Sequence, residues 1–459
     1  MFFQQFKVEG LGCLSYMIGC PLDGRAIVVD PKRDTGDYLK TAQLNKMKIT
    51  GIIETHLHAD HISGAAELQL QTGAPIYLGA GSPADYDHLP LNDGDNILLG
   101  NTKIEVVSTP GHTPHSISLA LTDLSRGDLV EILLTGDLLF VGSIGRPDLA
   151  GGALLEEQIK NAYHSLQTRL GKFPDYVEIY PAHGAGSLCG AGISAKPSST
   201  LGFERLTNPF LQLDFDKFRE QLSANTPHRP INFTHIINTN MRGQQPVHKL
   251  PGINEYNPLT CKKFLSESPD NIIIDLREAT AFGGAHIPGS FNIGMAPNSA
   301  LWVGNVVKPE SRILLLANNH QNVEQAVTMF RRVGYDNIQG YIIGLNGWIM
   351  AAEETGFLPQ ISVHSLHTVL GKYSNHMILD VRNDQEWLTG HIDQARHLPL
   401  PQLINQGLNC EIDQHISVIC LSGYRSNIAA SILKQRGFKN VYSVIGGMST
   451  WKTAGYKRV

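Results

Sequence analysis

The chain of 459 residues has few charged residues, no long apolar runs and no closely spaced pairs of cysteines. Charged residues make up 17% of it, below the roughly 25% of an average globular protein. No long run of lysine and arginine is present, which argues against nucleic-acid binding. The longest apolar runs, such as residues 313–317 (ILLLA), are too short to cross a bilayer. The N-terminal sequence MFFQQFKVEG lacks the basic and apolar regions of a signal peptide. We therefore expect a cytoplasmic protein with no nucleic-acid or membrane partner.

Cysteine spacing and composition narrow the class of protein further. None of the six cysteines forms a CxxC pair, so we expect reduced thiols and no disulfide framework. The length corresponds to about three domains. A hydrophobic fraction of 42% and 45 glycines favour loop-rich α/β domains with sizeable cores over a disordered chain.

An internal repeat divides the second half of the chain. Asp275, Arg277 and His286 recur 105 residues later as Asp380, Arg382 and His391, and Gly334 and Trp348 recur 103 residues later as Gly437 and Trp451. In each copy apolar strands alternate with helical stretches, which predicts a parallel sheet covered on both faces. The polar stretch 240–257 is predicted to be a linker. We expect a first domain over 1–245, a linker over 246–257, and two repeat domains over 258–357 and 358–459.

Potential metal ligands follow apolar runs in the first domain. The run 49–53 leads into THLHADH, and later runs lead into single histidines or aspartates. One loop histidine is more often a surface residue than a ligand, but seven ligand types in such settings indicate a metal site. They are His56, His58, Asp60, His61, His112, Asp137 and His183.

This HxHxDH–His–Asp–His series resembles the metallo-β-lactamase superfamily, which implies an αββα sandwich with a metal site at one edge. The resemblance does not decide which metal the site binds, and two alternatives remain. In glyoxalase II-like hydrolases the full series holds two zinc ions. In persulfide dioxygenases one iron is held by the residues that match His56, His112 and Asp137, a two-histidine, one-carboxylate triad with open positions. The remaining residues of the series would then orient the ligands and tune the iron: His58, Asp60, His61 and His183.

Three further residues near the series are candidates for substrate handling. Arg146 follows Asp137 by nine residues, as in the persulfide dioxygenases, and would bind a substrate carboxylate or be a surface arginine. Tyr180 would hydrogen-bond a metal-bound group or pack at a strand end. Cys189 would relay sulfur or be a structural loop thiol. The sequence leaves both roles open for each.

A single cysteine in the second repeat has the setting of a reactive thiol. Residues 418–426 read VICLSGYRS, so an apolar strand leads to Cys420, a small polar loop and a helix. Backbone amides, the helix N-terminus and Arg425 all favour a negatively charged sulfur there. The loop resembles the rhodanese active-site loop, and its six-residue length implies sulfur transfer with Cys420 and Arg425 as catalytic residues. The matching positions of the first repeat are Ala317 and Asn322, so that copy is predicted to be inactive.

Together the motifs resemble fusions of a persulfide dioxygenase with rhodanese-like domains. The resemblance implies that one Fe(II) oxidises a low-molecular-weight persulfide, of the glutathione or coenzyme A type, with O2 to give sulfite. Transfer of sulfur through Cys420 would then yield thiosulfate, in the detoxification of sulfide and persulfides. A homo-oligomer is also expected. Two alternatives remain: a dinuclear zinc thioester hydrolase of the glyoxalase II type with an accessory sulfurtransferase, and a non-catalytic sulfide-responsive module.

Overall fold

The computed structural model describes residues 1–190, 192–224, 229–370 and 376–459. The chain divides into two compact units. The first contains Met1–Leu250 together with Arg331–Gly334, and the second contains Pro251–Phe330 and Tyr335–Val459. No helix in these described ranges is long and apolar enough to cross a membrane.

The first unit is built on two mixed β-sheets. Their strands are β1 (Phe2–Lys7), β2 (Leu14–Cys20), β3 (Arg25–Val29), β4 (Lys48–Glu54), β5 (Ile76–Gly79), β6 (Leu89–Leu91), β7 (Asn96–Leu99), β8 (Thr102–Ser108), β9 (Ile117–Asp123), β10 (Ile132–Gly136), β11 (Leu139–Phe140), β12 (Ser143–Ile144), β13 (Glu178–Pro181) and β14 (Ser199–Thr200). One sheet has the order β1-β2-β3-β4-β5-β6 and the other β14-β13-β10-β9-β8-β7, while β11 and β12 form a separate hairpin.

Helices cover the outer faces of both sheets. They are α1 (Gly36–Leu44), α2 (Ala65–Thr72), α3 (Leu155–His164), α4 (Leu201–Thr207) and α5 (Phe215–Ala224), whereas α6 (Phe233–Arg242) packs against Ala59 in the loop after β4. Every residue of β2 and β9 is buried, as expected for strands covered on both faces. One core joins the facing sides of the sheets, including Ile53 and Leu134, and a core on each outer face packs against helices. The predicted αββα sandwich is confirmed.

The second unit contains the two repeats. Its strands are β15 (Asn254–Glu255), β16 (Asn271–Asp275), β17 (Phe291–Asn292), β18 (Arg312–Ala317), β19 (Ile338–Ile343), β20 (Gln360–Ile361), β21 (His376–Asp380), β22 (Ala395–His397), β23 (His415–Ile419) and β24 (Asn440–Val444). The sheet orders are β15-β19-β18-β16-β17 and β20-β24-β23-β21-β22, with every pairing parallel. The two orders match strand for strand, which confirms the repeat and its parallel sheets.

Helices separate the strands of both repeats. They are α7 (Pro258–Glu267), α8 (Ala279–Gly284), α9 (Ser299–Val306), α10 (His320–Arg332), α11 (Asn346–Met350), α12 (Val363–Leu370), α13 (Asp384–Leu388), α14 (Leu400–Gln406), α15 (Tyr424–Gln435) and α16 (Gly447–Thr453). Buried clusters fill each repeat between sheet and helices; they include Phe264 and Trp348 in the first and Ile419 and Trp451 in the second.

The first residues of the polar stretch 240–257, which was predicted to be a linker, lie in a helix. Helix α6 continues to Arg242, and Asn240 is only 2% exposed. Its side chain is fixed by hydrogen bonds to the loop that follows β4. The sequence prediction was wrong at this end because a polar residue on the buried face of a short helix has the same composition as a linker residue.

Candidate metal centre and candidate thiol loop

Four strand ends bring the ligand series together in the first unit. His56 follows β4, His112 follows β8, Asp137 follows β10, and His183 follows β13. Strands β10 and β13 are parallel, whereas β9 is antiparallel to both β8 and β10. The carboxyl ends of β8, β10 and β13 therefore meet at one edge of their sheet, and the side chains that follow them are close neighbours.

Three side chains of the series form a compact group. The distance from Nε2 to Asp137 Oδ2 is 3.7 Å for His56 and 3.5 Å for His112. All three residues are buried, and their ligand atoms lie within 4.8 Å of one another. His56 Nε2, His112 Nε2 and Asp137 Oδ2 have no hydrogen-bond partner among the described residues. Because buried polar atoms are rarely left unpaired, this group fits a bound metal ion.

The hydrogen bonds on the far side of each ring fix which nitrogen carries the lone pair. Thr55 Oγ1 donates to Asp30 Oδ2 at 2.8 Å and lies 2.9 Å from His56 Nδ1. With its hydrogen already donated, the hydroxyl can only accept from that ring. His112 Nδ1 donates to the main-chain oxygen of Arg146 at 2.8 Å. Both Nε2 atoms are therefore free to bind a metal.

The pKa shifts agree with neutral imidazoles beside a carboxylate. Burial holds the pKa of His56 well below its usual value, with repulsion from His58 adding to the effect. Burial also lowers the pKa of His112. For Asp137, burial would raise the pKa, but interactions led by the positive charge of His183 more than offset it and the pKa falls. Neutral rings and an ionised carboxylate are the protonation states that ligate a metal.

The other members of the series are held mainly by carboxylates. His58 Nε2 lies 3.0 Å from Glu54 Oε2 and 3.3 Å from Asp30 Oδ1. His183 lies between Asp137, at 2.6 Å from Nδ1, and Asp60, at 2.7 Å from Nε2. Burial would lower the pKa of His183, but these two carboxylates raise it well above its usual value. Both nitrogens of His183 are thus occupied, while His58 Nδ1 and His61 Nε2 are unpaired within the described part of the chain.

Several residues at this site were not singled out from the sequence. Asp30, which has a left-handed backbone with φ of 51°, also accepts from the amide of Thr55 at 2.7 Å. Cys13 Sγ lies 3.3 Å from Asp60 Oδ2. Asn240 Nδ2 donates to the main-chain oxygens of His58 and His61 at 2.9 and 2.8 Å. An apolar residue four positions earlier, Ile236, shares the buried face of α6 and is the signal that could have located Asn240.

Because Gly145 has no side chain, its backbone can lie close to Asp137 and His112. A Cβ atom at this position would lie 1.7 Å from the main-chain oxygen of Asp137 and 3.3 Å from His112 Nδ1. Only glycine fits there without displacing the two ligands. The next residue, Arg146, can then present its main-chain oxygen to His112.

The three substrate-handling candidates have defined contacts. Arg146 is 4% exposed, and its guanidinium bonds to both carboxylate oxygens of Asp148 at 2.7 and 2.6 Å. The hydroxyl of Tyr180 donates to Glu178 at 2.8 Å. Cys189 is buried, and its sulfur lies within 4.8 Å of ligand atoms of Asp137 and His183. Their roles in substrate binding and sulfur relay remain predictions.

In the second unit, Cys420 lies at the junction of β23 and α15, as the sequence pattern predicted. The amide of Gly423 donates to Cys420 Sγ at 3.1 Å, and Ser426 Oγ lies 3.7 Å from it. Gly423 precedes the helix with φ of 105°, a conformation that favours glycine. The loop therefore directs an amide of the helix N-terminus at the sulfur, which favours a negative charge there.

Arg425 is paired with a carboxylate that the sequence analysis did not identify. Its guanidinium forms two hydrogen bonds of 2.6 Å with Glu386 of α13. Burial alone would raise the pKa of Glu386, but the hydrogen bond from Arg425 lowers it overall. Asp380 likewise binds Arg382 through both carboxylate oxygens, and Asp275 binds Arg277 in the same way. These pairs brace the loops after the matching strands β21 and β16.

The matching loop of the first repeat has no thiol. Strand β18 ends at Ala317, and Asn322 lies in the first turn of α10. The described structure thus places no cysteine where Cys420 lies in the second repeat.

Comparisons with known proteins identify the family of each domain. The model of the metallo-beta-lactamase superfamily matches residues 8–183, and that of the rhodanese-like domain matches residues 260–351 and 362–454. Persulfide dioxygenase ETHE1 of Mus musculus is 31% identical over 50% of this chain and 83% of its own length. The Homo sapiens protein is 30% identical over 51% and 85%. A crystal structure described as a metallo-beta-lactamase from Staphylococcus aureus is 32% identical, with a TM-score of 0.68, and covers 75% of this chain and 99% of that one.

The fold and the ligand series define a metallo-β-lactamase-fold protein with two rhodanese-like domains. The chain belongs to the family of the ETHE1 persulfide dioxygenases within that superfamily, in a fused form. This relationship supports persulfide oxidation and sulfur transfer as its general activities.

Proposed function

We propose that the protein oxidises the outer sulfur of a low-molecular-weight persulfide to sulfite at one Fe(II), and that Cys420 transfers sulfur to give thiosulfate. The observation that carries the proposal is the group of three buried, unpaired ligand atoms on His56, His112 and Asp137. Two histidines and one carboxylate with open positions are typical of non-haem Fe(II) sites that use O2. Glutathione and coenzyme A persulfides are the substrates proposed, in the detoxification of sulfide.

The oxidation balances with water as co-reactant. A persulfide RSSH, O2 and water give the thiol RSH and sulfurous acid, which ionises to sulfite. The S–S bond breaks, the outer sulfur loses four electrons, and O2 accepts them. When bound, the iron would supply open positions at which sulfur and oxygen meet. Within the chain, Thr55 and Arg146 hold the two imidazoles so that each Nε2 is available to an ion.

The sulfur-transfer step uses the Cys420 loop. A second donor loads Cys420 as a persulfide, and sulfite attacks the outer sulfur. The S–S bond to Cys420 breaks while a new S–S bond forms, so thiosulfate leaves and the Cys420 thiolate remains. The amide of Gly423, which donates to Cys420 Sγ, stabilises the charge left on the sulfur. The reverse direction would supply persulfide to the iron.

A second candidate is a dinuclear zinc hydrolase with an accessory sulfurtransferase. The unpaired His58 Nδ1 and His61 Nε2 favour it, since a second metal would need ligands of this kind. The occupation of both nitrogens of His183 by carboxylates favours the single-metal site.

Product analysis of the Cys420→Ser variant tests whether persulfide oxidation proceeds independently of sulfur transfer at Cys420. With glutathione persulfide and O2, the wild-type protein should give sulfite and thiosulfate. The variant should consume O2 and form sulfite at the wild-type rate but make no enzyme-dependent thiosulfate. A Cys410→Ser variant is the matched control and should behave as the wild type. Loss of sulfite formation in the Cys420→Ser variant would show that the two reactions are not divided in this way.

A further inference from the structure

The first repeat contacts the active-site helix of the second repeat within the same compact unit. Tyr424, the first residue of α15, donates its hydroxyl to the main-chain oxygen of Gly294 at 2.8 Å. Ser299 of α9 lies 3.4 Å from the same hydroxyl. Desolvation raises the pKa of Tyr424 to about 12, so the hydroxyl keeps its proton and remains a donor. The residue that completes the Cys420 loop is therefore tied to the repeat that has no thiol.

A second contact lies one helical turn further along α15. Asn427 is fully buried, and its Nδ2 donates to Oδ1 of Asn292 in β17 at 2.5 Å. Gln360 donates to Asn427 Oδ1 at 2.7 Å, so both ends of this amide are paired. Asn292 is itself fixed, because its Nδ2 donates to the main-chain oxygens of Asp275 and Arg277, each at 2.9 Å.

The two contacts bear directly on the thiol. Gly423, whose amide donates to Cys420 Sγ at 3.1 Å, is bonded through the chain to Tyr424. A shift of Tyr424 would displace the adjoining Gly423 and disturb the hydrogen bond from its amide to the sulfur. Amide bonds to sulfur and the helix N-terminus are what favour a thiolate in such a loop.

We propose that the first repeat acts as a positioning partner for the Cys420 loop, with Tyr424 and Asn292 as the positioning residues. The inference rests on the proposed sulfur-transfer function of Cys420 and gives the thiol-free repeat a role in it. Such a role needs no chemistry in the loop at Ala317, where the thiol is missing.

The test uses the full-length protein with Tyr424→Phe and Asn292→Ala. Tyr424→Phe removes only the hydroxyl, and Asn292→Ala removes the acceptor for Asn427. Two variants serve as matched controls. Tyr442→Phe removes a hydroxyl that is hydrogen-bonded to the exposed His415. Asn322→Ala changes an asparagine in the first turn of α10. Two quantities are measured: the alkylation rate of Cys420 by iodoacetamide against pH, read by peptide mass spectrometry, and kcat/KM for sulfur transfer from thiosulfate to cyanide.

Both test variants should slow alkylation at pH 7 by about 3- to 10-fold and move the midpoint of its pH profile upward. The value of kcat/KM should fall by a similar factor, while both controls match the wild type. Unchanged profiles in both test variants would overturn the proposal. A lower melting temperature with an unmoved pH midpoint would also overturn it, because that pattern indicates a purely structural contact. If the wild type transfers no sulfur, the proposed function fails, whereas the alkylation profile still decides the positioning role.

Discussion

The main-chain oxygen of Arg146 accepts a hydrogen bond from Nδ1 of His112 at 2.8 Å. This bond leaves the lone pair of His112 on Nε2, 3.5 Å from Asp137 Oδ2. The backbone of Arg146 thus orients a candidate ligand while its side chain binds Asp148. Ligating histidines in metalloproteins are commonly oriented by a bond of this kind.

Replacing His112 by alanine should strongly weaken iron binding. The variant loses one of three ligand atoms, so we expect iron affinity to fall by about 100-fold or more and O2 uptake to fall with it. His88→Ala is the matched control, because His88 Nδ1 also donates to a main-chain oxygen, that of Tyr86, at 2.8 Å. Retention of iron by the His112 variant at the level of the His88 variant would remove His112 from the ligand set.

Asn240→Asp should weaken the metal site from a distance. The substitution preserves shape but removes the amide that donates to the main-chain oxygens of His58 and His61, and it places a carboxylate against them. We expect metal affinity to drop by about 10- to 100-fold, the range typical of residues that orient ligands. Equilibrium dialysis against a competing chelator measures the metal affinity. Asn238→Asp, on an exposed position of the same helix, should leave affinity unchanged, and equal losses in both variants would contradict the assigned role.

Glu386→Gln should reduce stability in a pH-dependent way. The Arg425 ion pair lowers the pKa of Glu386 in the folded state, so its contribution is present above the unfolded pKa of about 4.3. That contribution is lost as pH falls through the folded pKa. The pair is bidentate with side chains 19% and 22% exposed, and we expect the variant to lose about 1 kcal/mol of unfolding free energy at pH 7.

Urea unfolding of the wild type and the Glu386→Gln variant at several pH values measures this difference. It should shrink towards zero as the pH falls below the lowered folded-state pKa of Glu386, where this carboxyl is protonated in both states. Glu267→Gln, which breaks the more exposed pair with Arg312, should cost less than about 0.5 kcal/mol. A stability difference for Glu386→Gln that is the same at every pH would contradict the ion-pair explanation.

Much of the architecture was predictable from local patterns. Ligand types that directly follow apolar runs placed His56 and Asp137 at strand ends, because loops after strands carry the chemistry in such folds. The spacing of Asp275 and Asp380 located two copies of one domain, and their sheet orders match. The small loop after Cys420 predicted the strand–loop–helix junction that the structure contains.

Contacts between distant segments were not predictable in the same way. Asn240 is 182 residues from His58 in sequence, and its polar neighbours resemble a linker. Tyr424 bonds to a main-chain oxygen, that of Gly294, and a carbonyl group has no signature in the sequence. Glu386 also caps its own short helix, so its pairing with Arg425 could not be distinguished from a surface role. In each case tertiary packing selected the partner.

The most direct test of the central claim is metal analysis of protein purified under anaerobic, reducing conditions, combined with O2 uptake on addition of glutathione persulfide. Three unpaired ligand atoms on His56, His112 and Asp137 predict about one iron per chain and rapid O2 uptake with sulfite as product. About two zinc ions per chain with no O2 uptake would contradict the account and favour the dinuclear hydrolase.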